Sequence, residues 1–358
     1  MTFRRNIRRY ADVILALPVI VMLLVASCQR RLLEYDEIFE VALIPVNIDW
    51  SATGLTVTGN NRDVQKVSIR FFPQSGTGEA FDCYMEPNVS QGEIAVPVGR
   101  YSVIVFNESI YDNEYWADRV TFSDANSYND FAANAVVLSN AARLQQFPYY
   151  QPQTDERFIV EPRERPVASW SLPDFEVTNN MILVSQGLRP ASLLSAAEEN
   201  MFNALTHVTM RALTRPVTVT AQVQNLVSAR TMYLAMRGLA SKVYMASGNT
   251  TSSPSTYLFI LNGRQYASNN RDGTARNTFL CFGRTSDPEY ESYYILADIL
   301  FVNYTLYEPA SPLLFNRTNE FKSGNNTINL DINIELPFIE GGIAVNSWGD
   351  DEQRTVIQ

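Results

Sequence analysis

His207 is the only histidine in the 358 residues. Any Ser-His-Asp triad would need it as the base. The residues ahead of it, Asn203-Ala204-Leu205-Thr206, form no nucleophile elbow. A lone histidine also excludes multi-histidine zinc sites, and the three cysteines, Cys28, Cys83 and Cys281, are spaced too widely for a thiolate cluster. Asp350-Asp351-Glu352 lacks the spacing of a calcium loop and reads as a solvated turn. Asp287, Glu289 and Glu291 could be offered as paired carboxylates for glycoside chemistry, which depends on carboxyl separation. With 38 acidic residues in the chain, such neighbours arise by chance. Neither a Walker-type phosphate loop nor a dinucleotide fingerprint occurs. The net charge of -10 argues against nucleic acid as a partner. These residues predict no catalytic centre, no metal and no cofactor, and hence no enzyme.

One cysteine has a different setting. Arg4, Arg5, Arg8 and Arg9 precede an apolar run from about Val13 to Val25, and Val25-Ala26-Ser27 leads into Cys28. A basic head, a short apolar stretch and small residues before a cut describe a secretory signal. An apolar residue, two small residues and Cys is the bacterial lipobox pattern. The expected chemistry is removal of residues 1–27 and acylation of Cys28 on its sulfur and its new amino group. Multiple acyl chains suffice for stable anchoring, at roughly 0.8 kcal/mol per buried methylene. As a membrane-spanning helix the run is short against the about 20 residues a bilayer needs, and Pro18 interrupts it. Cys83 and Cys281 could pair in an oxidising envelope. They fall in separate predicted domains, so two buried, unpaired thiols are expected.

The elements behind these residues read as strands. A hydrophobic content of 46% is ordinary for a chain that buries real cores, and the length suggests about two domains. Residues 28–39 read as a tether. Glu40 to Trp50 is the first strand candidate, and Pro45 argues for an edge position because it cannot donate to a ladder. Val67, Ile69 and Phe71 share one face of the next strand. Gly92 to Asn107 reads as a strand pair turning at Gly99. Phe147 to Pro173 is rich in proline and reads as a connection between domains. Ser195 to Leu205 is the best helix candidate, with Glu198 completing a capping box. Strand follows strand from Val217 onward, ending with Ile328, Leu330, Ile332 and Ile334 in strict alternation. Many short strands without long helices predict an all-β sandwich or barrel architecture.

Several stretches resemble Bacteroidales fimbrillin-like lipoproteins. They are Asn47-Ile48-Asp49-Trp50; Ile69-Arg70-Phe71-Phe72-Pro73 with Gly76; Val96 through Asn107; Leu234 through Ala240 with Val243-Tyr244; Phe279 through Gly283; and Leu336-Pro337 with Gly341 through Trp348. They keep the same order along nearly the whole mature chain. The resemblance implies two tandem antiparallel β-sandwich domains of Greek-key, transthyretin-like type. The predicted layout is signal peptide 1–27, tether 28–39, N-terminal sandwich 40–165 and C-terminal sandwich 166–358, with an alternative boundary near 210–216. It also implies the outer membrane surface, reached through acylated Cys28, and other fimbrial subunits as partners by strand addition. In polymerising members a protease removes the first strand and a neighbour's last strand fills the groove. Here Arg354 to Gln358 offers only Val356 and Ile357 as apolar donors, so it reads as a plain last strand. Arg62 and Arg70 follow the first strand candidate, but neither is assigned as a processing site.

The resulting expectation is a non-enzymatic surface protein with a structural or adhesive role in pilus assembly, anchoring or adhesion. The alternative is a surface glycan-binding lipoprotein of a nutrient-uptake system. Tyr111, Tyr115 and Trp116, and Tyr290, Tyr293 and Tyr294, are its candidate stacking groups. The same aromatics read first as ordinary strand and core residues, and only second as a stacking platform.

Overall fold

The computed structural model describes residues 40–339 except 59–63, 76–77, 87, 108–119, 153–156, 161–165, 288–292, 309–312 and 316–327. The described chain is all-β, built from short strands in packed sheets with a few short helices.

The first sandwich starts with Val41–Asp49 (β1), antiparallel to Gln91–Pro97 (β4), with Ala42 opposite Val96 and Ile44 opposite Ile94. Val208–Thr209 (β10) adds a short parallel pairing at Ile48 and Asp49. The facing sheet runs in the order Arg211–Ala212 (β11), Ala168–Val177 (β9), Gly99–Asn107 (β5), Val67–Pro73 (β2) and Phe81–Met85 (β3). Strict alternation along β1 sends Ala42, Ile44, Val46 and Ile48 inward against Ile69, Phe71, Val103, Val105 and Phe175. Each of the valine, isoleucine and phenylalanine side chains, fully buried, is worth about 1.5–3 kcal/mol.

The second sandwich pairs Gly263–Tyr266 (β16), Gly273–Cys281 (β17), Arg215–Gln224 (β12) and Ile328–Glu335 (β21), in that order. Across its core lie Leu306–Tyr307 (β19), Tyr293–Phe301 (β18), Ala229–Ala240 (β13), Pro254–Ile260 (β15) and Phe158–Val160 (β8), with Leu313–Phe315 (β20) also on β18. Most pairings are antiparallel; β1 with β10, β12 with β21, and β8 with β15 are parallel.

A small third sheet, Val120–Ser123 (β6), Ala132–Ala135 (β7) and Lys242–Tyr244 (β14), joins the two sandwiches. Strands β2 and β5 are consequently buried on both faces, with Phe72, Ile104 and Phe106 in the same core as Phe131 and Ala133. Ser169 and Ser171 donate their hydroxyls to the carbonyls of Met245 and Ala246, each at 2.8 Å.

Two sequence expectations change here. The strands on either side of Gly99 do not form a hairpin; β4 lies in one sheet and β5 in the other. The Tyr101 hydroxyl donates back toward Pro97 O at 3.1 Å and lies 2.6 Å from where a Cβ on Gly99 would sit, so a larger residue there would push the Tyr101 ring aside. The proline-rich connection is not structureless. It contains β8 and the start of β9, and Pro173 sits where the β5–β9 register slips, the bulge position that proline tolerates. Arg70 is 2% exposed, held 2.6 Å from Asp82, and donates to Ala125 O at 2.7 Å. A protease could not reach it in the folded chain.

Candidate functional site

Backbone or surface that remains open to another molecule is where a binding role would lie, and the strand edges are the places to find it. Strand β1 has one such edge. Its inner edge pairs with β4, and β10 reaches only the last two residues of its outer edge. From Val41 to Asn47 no strand lies on that outer side among the described residues.

A helical insert covers it instead. Between β9 and β10 the chain forms Asn179–Ser185 and Ala196–Phe202; with Asn140–Gln146 earlier in the chain as α1, these are α2 and α3. Met181 and Ile182 of α2 bury themselves in the first core. Ser185 Oγ accepts the Leu43 N–H at 3.1 Å, and Gln186 Nε2 donates to Val41 O at 3.3 Å. Side chains thus satisfy backbone groups that a partner strand would otherwise take. Covering an edge with a helix is one way proteins prevent unwanted pairing. Pro45 follows Leu43 by two, so its missing N–H falls on this same side, as the edge expectation required.

The insert has its own clasp. Glu198 accepts from the Ser195 N–H and hydroxyl through one oxygen, and from Thr178 Oγ1 and Asn180 Nδ2 through the other. The capping box expected at Ser195 is present, and the same carboxylate also ties down the start of α2. These hydrogen bonds, the Ser195 backbone first, lower its pKa to about 2.

Strand β21 offers a different edge. It pairs only with β12 among the described strands. Leu330, Ile332 and Ile334 point into the core, while Asn329, Asp331, Asn333 and Glu335 face out. Beside it, a shallow recess of about 590 Å³ lies over the end of the sheet, lined by Gln222, Gln265, Tyr266, Thr274, Asn333 and Glu335 among others. Register sets Gln265, Thr274, Gln222 and Asn333 in one row across four strands.

The remaining candidates are dispersed. Cys28, Arg62, Tyr111, Tyr115, Trp116, Glu289, Tyr290, Glu291 and Asp350-Asp351-Glu352 lie outside the described residues. Tyr293 and Tyr294 begin β18. His207 is exposed at the end of the turn Ala204–His207, and Asp287 is half-buried in a loop. Neither Cys83 nor Cys281 forms a disulfide; Cys281 is buried and Cys83 half-buried, its thiol pushed up to about 12, chiefly by burial. Among the described residues no group of His, Cys, Asp and Glu is arranged to hold a metal. Sequence patterns did not disclose the α2 cover, because Ser185 and Gln186 lie more than 140 positions from the backbone they cap.

Residues 27–260 match the family described as Domain of unknown function (DUF5119). The chain belongs to the DUF5119 family. A Bacteroides ovatus protein named "Putative fimbrium anchoring subunit Fim4B" is 34% identical to this DUF5119 chain over 86 residues, 24% of this chain. The match spans 23% of that protein's length. A crystal structure of a "putative adhesin" from Bacteroides ovatus aligns with a TM-score of 0.50 and 15% identity, covering 84% of this chain and 94% of that one. It shows a shared fold. The fimbrial anchor protein Mfa2 from Porphyromonas gingivalis aligns at a TM-score of 0.41 and 9% identity, over 82% of this chain and 90% of that one. The shared fold agrees with the all-β architecture expected from the sequence.

Proposed function

We propose that this DUF5119 protein is a lipid-anchored, fimbrillin-like surface protein of the outer membrane, with a structural and adhesive role in fimbrial anchoring, assembly or adhesion. One observation carries the reading. The first strand sits in its own sheet with its inner edge paired and its outer edge capped by α2. A subunit made to receive a neighbour's strand in that groove would need the place vacated. A chain that keeps it filled is suited to hold or end a fibre. The match to a protein named for anchoring supports this. Partner subunits then bind elsewhere, and the outer edge of β21 is the surface we assign to strand addition. Anchoring itself runs through acylated Cys28. We place the division between the two units at 210–216, because β9, β10 and β11 all pair within the first sandwich's sheets.

Mass spectrometry of the native protein tests the proposal. The expected result is a mature chain that starts at an acylated Cys28 and retains Val41–Asp49. A mature start beyond Asp49 would sink the anchoring role, since β1 would be gone.

The amide row beside β21 gives the glycan reading a location. A flat row of Gln, Thr and Asn suits the hydroxyls of a neutral sugar. Saturable binding on a glycan array, lost with Gln222→Ala, would favour that role over fimbrial anchoring.

A further inference from the structure

The loop between α2 and α3 is an ordered structure that leaves apolar area in water. Gly187 has φ +71° and follows the helix as its left-handed cap. Its N–H donates to Val184 O, and the N–H of Leu188 donates to Leu183 O, which makes a Schellman turn. Arg189 donates to Asn180 Oδ1 at 3.2 Å. A short turn over Ala191–Leu193 and the Ser195–Glu198 capping box close the far side. In a Schellman turn the residue at the Leu188 position usually packs back on the helix. Here Leu188 is 58% exposed and Leu193 60%, with Pro190 and Ala191 exposed between them.

The position of this loop indicates what covers it. Gln186 holds the carbonyl of Val41, so Leu188 lies beside the point where the chain enters β1. Only residues 28–39 separate that point from Cys28, a reach of no more than roughly 40 Å at full extension. Leucine, proline and alanine around one exposed arginine make a surface for the boundary between acyl chains and anionic headgroups. We propose that residues 187–194 dock against the lipid bilayer that holds the protein, so that the DUF5119 fold rests on the membrane through Leu188 and Leu193. This contact deepens the lipid-anchor reading and rests on it.

The test uses the full-length acylated protein on vesicles of phosphatidylcholine and phosphatidylglycerol, with brominated lipid as quencher. An environment-sensitive fluorophore is attached at Leu188→Cys, at Leu193→Cys and, as a control in the second sandwich, at Tyr304→Cys, since Tyr304 is 68% exposed. The native thiols interfere little, because Cys281 is buried and the Cys83 thiol is pushed up to about 12. Quenching at positions 188 and 193 at least about threefold stronger than at 304 is expected. Equal quenching at all three positions, on protein that is bound to the vesicles, overturns the docking surface while leaving the anchor intact. Protein that stays off the vesicles overturns the anchor, and this contact with it.

Discussion

Glu198 engages both of its carboxylate oxygens in hydrogen bonds and joins two helix starts. Its folded-state pKa of about 2 lies below the ordinary value of 4.5. A carboxyl depressed on folding stabilises the fold fully above its unfolded pKa and loses that contribution as pH falls through its folded one. The clasp on α2 should therefore hold at neutral pH and weaken between about pH 4.5 and 2. Acid titration of Glu198→Gln, followed by amide exchange in 178–202, should show weaker protection at pH 7 and a flatter decline across that window. An unchanged acid profile would mean the clasp is not what holds the insert. Gly187 makes a simpler demand. A Cβ there meets open space, so Gly187→Ala should cost only the left-handed backbone term, about 1–2 kcal/mol in a thermal melt. Residue types alone exposed part of this: Ser195 and Glu198 stand at capping-box spacing, whereas the links from Glu198 to Thr178 and Asn180 cross a loop that no local pattern spans.

Among the elements, α2 covers the outer edge of β1 while β4 pairs the inner one. Ile182→Ala deletes buried contacts from the helix and should cost about 2–5 kcal/mol. Hydrogen exchange at the Leu43 amide should rise with it, because that N–H bonds to Ser185 and to no strand. Faster exchange at Ile44 alone would point to β4 as the true restraint. The strands themselves were largely readable in the chain, as in Ile328 to Ile334, because period-2 alternation is a local signal. Which sheet each strand joins was not. Gly99 marks a turn equally well whether the chain doubles back in one sheet or crosses to the other, and the choice is made by distant partners, β1 for β4 and β2 and β9 for β5.

For the molecule as a whole, the two sandwiches are bound together by the chain's route. After β5 it runs through β6, β7 and α1 to β8 on the second sandwich, then returns as β9 to the first. Arg70 and Asp82, both 2% exposed, fasten the β6–β7 hairpin through Ala125 O. Burial is the main influence on Asp82 and raises its pKa, with Arg70 opposing. Removing one partner of such a pair strands the other charge, so Arg70→Met should cost about 3–5 kcal/mol, and Arg70→Met with Asp82→Leu should recover much of it. Chemical denaturation of the three proteins checks this. If the double variant is as unstable as the single one, packing around Phe72 and Phe131 rather than charge is the cause. About two domains could be read from length, and two tandem sandwiches from the family resemblance. The return of the chain could not, because it depends on contacts 60 or more positions apart, such as Asn107 with Ala168.

The long antiparallel seam between β1 and β4 has a mechanical meaning. Seven residue pairs, from Val41 opposite Pro97 to Asn47 opposite Gln91, lie side by side, and their bonds run across the strand. A tug directed along the axis of β1 would load all of them together, in shear, where one directed across it would peel them singly. A fold drawn taut between a surface and whatever it grips would resist at its first strand.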